Sequence, residues 1–218
     1  MLKRFFCVAV LSVLPVFAHS AVIVQNLSVT RQATDFDTPI TFNLFDNTST
    51  GDTLQSVIIE LFARSSGSVK IENRNPSRSA NVTARLSTSI TLYLMDGLTS
   101  ISASPFVFRS DVLSAFDGSL DYDGSSGVEF LNLATSDYEI ATITSDDLLM
   151  LFTGVGQGQF LFEAIATSGV TGGGNLSTFI DTFASANVRV TYFTVSESGS
   201  FGILLLGIGM LVARRKLY

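Results

Sequence analysis

Residues with strong catalytic or metal-binding chemistry are almost missing from this sequence. Its 218 residues include one cysteine, one histidine and no tryptophan. The cysteine is Cys7 and the histidine is His19, so both lie near the N-terminus. The rest of the chain therefore has no thiol or imidazole for nucleophilic catalysis, for zinc or for haem and iron–sulfur ligation, and it has no disulfide. Only carboxylate chemistry remains, and we expect no enzyme activity.

Positive charge is also scarce. Residues 21–195 contain 8 Lys or Arg against 18 Asp or Glu, and none of the basic residues lies between Ser110 and Val188. Five of them fall in one short stretch, namely Arg64, Lys70, Arg74, Arg78 and Arg85. Nucleic acid is excluded as a partner, because its binding requires cations that neutralise phosphates. The acidic surface keeps an exported protein soluble, and the alternative is that it attracts divalent cations or a basic partner.

The N-terminal segment has the three parts of a secretory signal peptide. Lys3 and Arg4 form a positive region, residues 5–17 form an apolar region, and Ala18 and Ser20 are small residues before a cleavage site. We predict that residues 1–20 are a signal peptide cleaved after Ser20, with cleavage after Ala21 as the alternative. The protein is therefore expected to be exported.

The C-terminal segment joins a short apolar run to a basic cluster. Residues 201–213 are apolar with interspersed glycines, and Arg214, Arg215 and Lys216 follow. This order predicts a transmembrane helix whose cations remain on the cytoplasmic side. The run is shorter than the roughly 20 residues of an ordinary permanent span. We therefore interpret residues 196–218 as a sorting tail that a membrane enzyme recognises.

The segment between these ends shows the alternation of apolar and polar residues that is typical of β-strands. In Ala80–Leu94 the even positions are mostly apolar and the odd positions polar, as in an antiparallel sheet with one buried face. We predict that residues 21–195 form an all-β domain, a single antiparallel β-sandwich of the jelly-roll type. Further strands are expected at 21–30, 40–45, 54–63, 67–73, 138–143, 159–166 and 187–195.

Two local predictions accompany this fold. Ser65-Ser66-Gly67 is composed of turn residues, so we expect 54–94 to be a three-stranded meander. Residues 145–152 are expected to form about two turns of helix, with Thr144 or Ser145 as the N-cap and two aspartates at the positive end.

The tail resembles the PEP-CTERM sorting signal of Gram-negative bacteria. Val195 and Glu197 match its Val-Pro-Glu-Pro motif, while Ser196 and Ser198 stand where the family has prolines. The apolar run and the cluster Arg214, Arg215 and Lys216 match the rest of the signal. The resemblance implies recognition by exosortase, a membrane enzyme. Whether the tail is cleaved or remains an anchor is left open.

The body resembles the choice-of-anchor E domain, an exported β-rich module. The resemblance rests on residues 66–73, 116–122, 125–128 and 147–156, which are mainly Gly, Ser and Thr turns. It implies surface display, with extracellular polysaccharide as an associated partner, and it transfers no catalytic residue. We therefore expect the cell envelope, cell surface or extracellular matrix as the location.

The densest acidic segment is residues 117–124, with Glu129 nearby. Oxygen atoms around a glycine turn can bind Ca²⁺, so Asp121, Asp123 and Glu129 are candidate calcium ligands. The alternative is a structural loop, since Asp and Gly are common turn residues.

The sequence leaves three hypotheses for the function of the chain: a non-enzymatic surface protein, a carbohydrate- or calcium-binding module, and a glycan-active enzyme that pairs Asp121 or Asp123 with Glu129 or Glu163. The first is preferred, and the enzyme is disfavoured because without tryptophan only Tyr and Phe remain to stack on sugars.

Overall fold

A computed structural model describes residues 20–196 of the chain, leaving out the side chains of Ser20 and Thr50. It contains ten β-strands and very little helix. The strands are β1 (Ser20–Ala33), β2 (Phe36–Asn43), β3 (Asp52–Asn73), β4 (Ala80–Tyr93), β5 (Ser100–Ala103), β6 (Phe106–Leu113), β7 (Gly127–Ile143), β8 (Gln157–Ala166), β9 (Gly169–Gly172) and β10 (Leu176–Ser196). The helical segments are α1 (Asn47–Thr50), α2 (Asp146–Leu149) and a 3₁₀ turn (Met150–Phe152).

The strands form two antiparallel sheets that enclose the core, so the predicted all-β sandwich is confirmed. The four-stranded sheet has the order β1-β10-β3-β7. The six-stranded sheet has the order β2-β8-β4-β5, with β6 and β9 also paired to β4. The inner faces carry the alternate apolar residues that the sequence pattern places on one side of each strand.

Strand β3 corrects the predicted meander. Ser65-Ser66-Gly67 is not a turn, because β3 runs without interruption along both β10 and β7. A Cβ on Gly67 would lie 1.9 Å from the carbonyl oxygen of Asp181, so glycine is required here for the close approach of another backbone. The small residues therefore accommodate close packing within a strand, and the segment 54–94 holds two strands.

The hydrophobic interior divides into two clusters. The larger one has 25 buried residues and includes the stacked rings of Phe42 and Phe160, whose centroids are 4.2 Å apart. The smaller one has eight buried residues, all aliphatic, contributed by β3, β4, β6 and β7. Between them lies a belt of buried polar residues: Ser65, Ser87, Thr88 and Thr182.

Both ends of the described chain lie at the same end of the sandwich. Ser20 pairs with Val195, and Asp52 pairs with Ser196. We call this the terminal end; it also holds the β2–β3, β4–β5 and β7–β8 connections. The far end holds the β3–β4, β6–β7 and β9–β10 connections. Strand β10 runs between the two ends and is 21 residues long, which corresponds to about 65 Å.

The helical prediction is confirmed in part. Residues 146–152 form one α-turn followed by the 3₁₀ turn, and Ser145 precedes them without a side-chain capping bond. Within residues 20–196 no helix is long and apolar enough to cross a bilayer. All of the predicted signal peptide except Ser20, and all of the tail except Ser196, lie outside the described residues.

Candidate functional site

The acidic loop is a strap across the far end of the four-stranded sheet. We define the strap as residues 114–126, which connect β6 to β7. Glu72 of β3 is fully buried beneath it. The Glu72 carboxylate accepts hydrogen bonds from the backbone N–H of Tyr122 at 2.8 Å and from the Ser126 hydroxyl. A buried carboxylate with two donors is a strong local attachment, because charge-assisted hydrogen bonds are stronger than neutral ones.

Asn73 and Gly127 complete the attachment of the strap. The Asn73 side-chain amide donates to the carbonyl oxygens of Arg78 and Ser114, at 2.8 and 2.7 Å. Gly127 lies directly under the strap, where a Cβ would come within 2.3 Å of the Asp123 backbone nitrogen. These contacts give the loop a structural role, which is one of the two interpretations that its composition allowed.

The three candidate calcium ligands are used in local contacts. Asp121 accepts from the Asp123 backbone N–H at 3.1 Å, and Asp123 accepts from the Gly124 N–H at 2.8 Å. Glu129 forms an ion pair with Lys70 on the neighbouring strand. Across the part of the chain that the structure describes, no group of three or more Asp, Glu, His or Cys residues is arranged to hold a metal ion. Calcium binding stays a prediction, tested by whether chelation of calcium lowers the melting temperature.

The other candidate residues are separated. Glu163 lies on β8 in the six-stranded sheet, whereas Glu129 lies on β7 in the four-stranded sheet. Glu163 accepts a hydrogen bond from Tyr93 at 3.2 Å, and its negative charge raises the pKa of that phenol. Val195 lies in β10 and pairs with Thr53. Glu197, Arg214, Arg215 and Lys216 lie outside the described residues.

The outer face of the four-stranded sheet carries a groove that sequence analysis missed. One depression of ≈ 380 Å³ is lined by Phe62, Ala63, Arg64, Ser136, Asp137, Tyr138 and Asn187. A second of ≈ 430 Å³ is lined by Arg31, Ser66, Gly67, Ser68, Leu131, Asn132, Leu133, Ala134, Asp181 and Phe183. The two occupy successive stretches of β3 and β7, and together we call them the outer groove. It follows β3 from Phe62 to Ser68.

An aromatic pair forms one end of the outer groove. The rings of Phe62 and Tyr138 lie 4.7 Å apart and are 37% and 44% exposed. The Tyr138 hydroxyl donates to Glu60 at 2.9 Å, and this hydrogen bond raises the pKa of Tyr138. Glu60 is also ion-paired to Arg189, whose guanidinium carbon lies 5.6 Å from the Phe62 ring centre. The aromatic surface is therefore held in place by a polar network.

An arginine-bearing section forms the other end. The Arg31 guanidinium lies 3.5 Å from the ring centre of Phe183 and donates to the Ser66 hydroxyl at 3.0 Å. Ser68 donates to the carboxylate of Asp181 at 3.4 Å. Short side chains such as Ser66, Ser68 and Ala134 form the floor between the two ends. The groove thus presents aromatic faces, hydroxyls, guanidinium groups and carboxylates on one rigid sheet.

The charge on this face differs from the charge of the whole body. Four of the eight basic residues of 21–195 lie on it: Arg31, Arg64, Lys70 and Arg189. Three exposed or half-buried acidic residues accompany them: Glu60, Glu129 and Asp181. The face is therefore close to neutral, whereas residues 21–195 carry ten more acidic than basic residues.

No family model matches the chain, and no match is found among curated proteins. A chain in the structure of infectious bursal disease virus Gx strain is 11% identical, with a TM-score of 0.23; the match covers 90% of this chain and 42% of that one. A chain of the T13 IBDV viral particle is 13% identical, with a TM-score of 0.17, over 80% and 37% of the two chains. This chain spans less than half the length of the viral chains it matches, and TM-scores this low do not establish a shared fold.

Proposed function

We propose that this chain is an exported, non-enzymatic surface or extracellular-matrix protein, delivered by a signal peptide at 1–20 and a sorting tail at 196–218. The observation that carries the proposal is the pairing of Ala21 with Thr194, which places the start of the mature body and the start of the tail at the terminal end of the sandwich. The far end then projects about 65 Å from the point of attachment. A rod attached at one end suits display at a surface.

The exposed side chains at the terminal end support this orientation. Leu98, Val155 and Met150 are 88%, 76% and 72% exposed, the highest values among the large exposed hydrophobic residues of the described body. Leu98 lies in the β4–β5 connection, and the other two lie in the β7–β8 connection. The connecting segments 44–51, 94–99 and 144–156 contain no Lys or Arg. Apolar side chains grouped at one end are typical of contact with a membrane or a partner.

The chain length beyond β10 fits the same arrangement. Five residue steps separate Ser196 from Phe201, where the apolar run of the tail begins. A fully extended chain of that length spans at most about 18 Å. A membrane-inserted tail would therefore hold the terminal end against a bilayer surface, and Leu98, Val155 and Met150 would enter the headgroup region.

The membrane partner in this proposal is an exosortase-type enzyme that recognises the tail, including Val195, Glu197 and the terminal basic cluster. The strand order β1-β10-β3-β7 opposite β2-β8-β4-β5 supports a jelly-roll sandwich for the body, with β6 and β9 as additional strands. The second candidate function, a carbohydrate-binding module, is favoured by the outer groove.

Single-tryptophan reporters test the membrane arrangement, because the natural chain has no tryptophan. The full chain is reconstituted in phosphatidylcholine vesicles that contain brominated lipid. We expect bromine to quench Leu98→Trp and Val155→Trp strongly. Leu120→Trp, in the strap at the far end, is the matched control and should not be quenched. Leu206→Trp reports insertion of the tail itself, and an unquenched Leu206→Trp would contradict the proposal.

Mass spectrometry of the native surface protein tests sorting. Cleavage by the enzyme should leave a C-terminus near Glu197, without the apolar run. An intact C-terminus at Tyr218 would make the tail a permanent anchor, and replacement of Arg214, Arg215 and Lys216 by neutral residues should then release it from the membrane.

A further inference from the structure

We propose that the outer groove binds a neutral, hydroxyl-rich polysaccharide chain. This inference deepens the proposed function, because it gives the displayed body a ligand. The groove follows β3 over at least the seven residues from Phe62 to Ser68, about 20 Å along the strand. An open channel of that length fits several consecutive sugar rings of an extended chain.

The aromatic end supplies a stacking surface. Phe62 and Tyr138 are packed against each other and remain 37% and 44% exposed, so their faces are available to the apolar faces of sugar rings. Tyr138 is also fixed by its hydrogen bond to Glu60. A pre-positioned aromatic surface costs little conformational entropy when a ligand binds, and aromatic side chains contribute large contact areas.

The rest of the groove supplies both donors and acceptors. Ion pairs join Glu60 to Arg189 and Glu129 to Lys70, and none forms to Arg31 or Arg64 within the described residues. The Asp181 carboxylate lines the groove as an acceptor, whereas the Asp137 carboxylate accepts from the Ser104 N–H next to β5 of the other sheet. Sugar hydroxyls both donate and accept, so a mixed set of guanidinium, carboxylate and serine groups complements them.

The charge balance selects a neutral ligand. The outer groove lies on the near-neutral face of an acidic body, with the Asp181 carboxylate in one depression and the Glu60 carboxylate hydrogen-bonded to Tyr138 beside the other. An anionic polysaccharide would be repelled by these carboxylates and by the surrounding acidic surface. A cationic ligand would bind the acidic surface elsewhere with equal ease, whereas a neutral chain has no electrostatic preference for another face.

The experiment uses the full chain in detergent micelles with cellohexaose, xylohexaose, mannohexaose and maltohexaose, and with hexameric alginate as the anionic comparator. Saturation-transfer NMR detects contact, and titration gives the affinity. We expect at least one neutral hexasaccharide to bind more tightly than alginate. Its affinity should change little between about 50 and about 500 mM NaCl, since neutral contacts are not screened.

Matched variants locate the site. Phe62→Ala and Tyr138→Ala should each weaken binding by about tenfold, a typical effect of losing one buried aromatic contact. Arg64→Gln should weaken it by several-fold. The controls are Phe108→Ala and Arg85→Gln on the six-stranded sheet, where an exposed Phe108 lies beside Arg85 in a similar arginine–aromatic cluster. Both should leave the affinity unchanged, and circular dichroism confirms that each variant is folded.

Several outcomes would overturn the inference. If none of the four neutral hexasaccharides binds at millimolar concentration, neutral polysaccharide is not the ligand. If alginate binds more tightly than all of them, the groove prefers an anionic chain. If Phe108→Ala weakens binding as much as Phe62→Ala does, the binding site is not specific to the outer groove and includes the six-stranded sheet. Concentration-dependent dimerisation that Phe62→Ala abolishes would assign the face to a second copy of the chain. Tail insertion is measured separately by Leu206→Trp, so the surface proposal and this inference can fail independently.

Discussion

The two hydrophobic clusters of the sandwich differ in how they are stabilised. The terminal half is filled by large aromatic rings, including Phe42, Phe152 and Phe160, which are almost completely buried. The far half has a small aliphatic cluster and relies in addition on hydrogen bonds of the strap to Glu72 and Asn73. Burial of apolar area therefore stabilises the terminal half, and specific polar contacts complete the far half.

The polar belt between the clusters separates them along the strands. On β4 the change occurs between Leu86 and Ile90, which belong to different clusters, with Ser87 and Thr88 between them. The hydroxyl oxygens of Ser65 and Thr88 have no hydrogen-bond partner although they are buried. A belt of this kind weakens the cooperativity between the halves, so the far half is expected to open at lower free energy than the terminal half.

The largest expected effect comes from the aromatic cluster. Phe160→Ala removes a fully buried ring that stacks on Phe42, and we expect a loss of about 4 kcal/mol in the free energy of unfolding. Leu86→Ala in the small cluster should cost about 3 kcal/mol and mainly accelerate hydrogen exchange in the far half. Urea unfolding and amide exchange measure both. Uniform loss of exchange protection in Leu86→Ala would show a single cooperative core.

The strap gives the next largest effect. Glu72→Ala removes the acceptor for the Tyr122 N–H and the Ser126 hydroxyl, at an expected cost of about 2 kcal/mol. Exchange of the Tyr122 amide should rise, while amides of the aromatic cluster remain protected. Asp121→Asn is the control, because Asp121 lies in the same strap without contacting Glu72. If the Tyr122 amide stays protected from exchange in Glu72→Ala, the hydrogen bonds to Glu72 are not what holds the strap in place.

A smaller effect, of opposite sign, is expected in the polar belt. Ser65→Ala removes a buried hydroxyl that has no partner and should stabilise the protein by up to about 1 kcal/mol. Ser87→Ala is the matched change on β4. Its hydroxyl lies 2.8 Å from that of Thr167, so the variant should lose about 1 kcal/mol. Thermal unfolding distinguishes the two, and equal destabilisation by both would refute the argument.

The smallest effect is a pH dependence of the strap. A hydrogen bond from the Ser119 N–H, 3.0 Å from the carboxylate oxygen, is the main cause that lowers the pKa of Asp117 below its ordinary value of 3.8. A carboxyl group with a lowered pKa stabilises the fold above its unfolded pKa, and this contribution is lost as the pH falls through the folded value. The protection factor of the Ser119 amide, which corrects for the slower intrinsic exchange in acid, should therefore fall as the pH drops through the folded pKa of Asp117, and NMR measures both quantities. Asp117→Asn should abolish that dependence, and an unshifted Asp117 titration would contradict it.

The sequence alone was sufficient for the fold class and for most strands. The alternation in Ala80–Leu94 identified β4 almost to its last residue, because one face of that strand is buried throughout. The turn predicted at residues 65–67 was wrong, because the same small residues suit a turn or a closely packed strand. Strands β5, β6 and β9 were not predicted, because β5 and β9 are only four residues long and β6 has one buried residue among eight.

What the sequence determined by itself is chemical content: no thiol or imidazole in the body, an acidic composition and strands with one apolar face. Tertiary structure alone decided which residues meet. Arg31 and Ser66 are 35 positions apart and form a hydrogen bond across the outer groove, while Glu72 and Tyr122 are 50 positions apart and attach the strap. Composition and periodicity are local properties of the chain. The outer groove depends on strand order and register, which the packing of distant strands fixes.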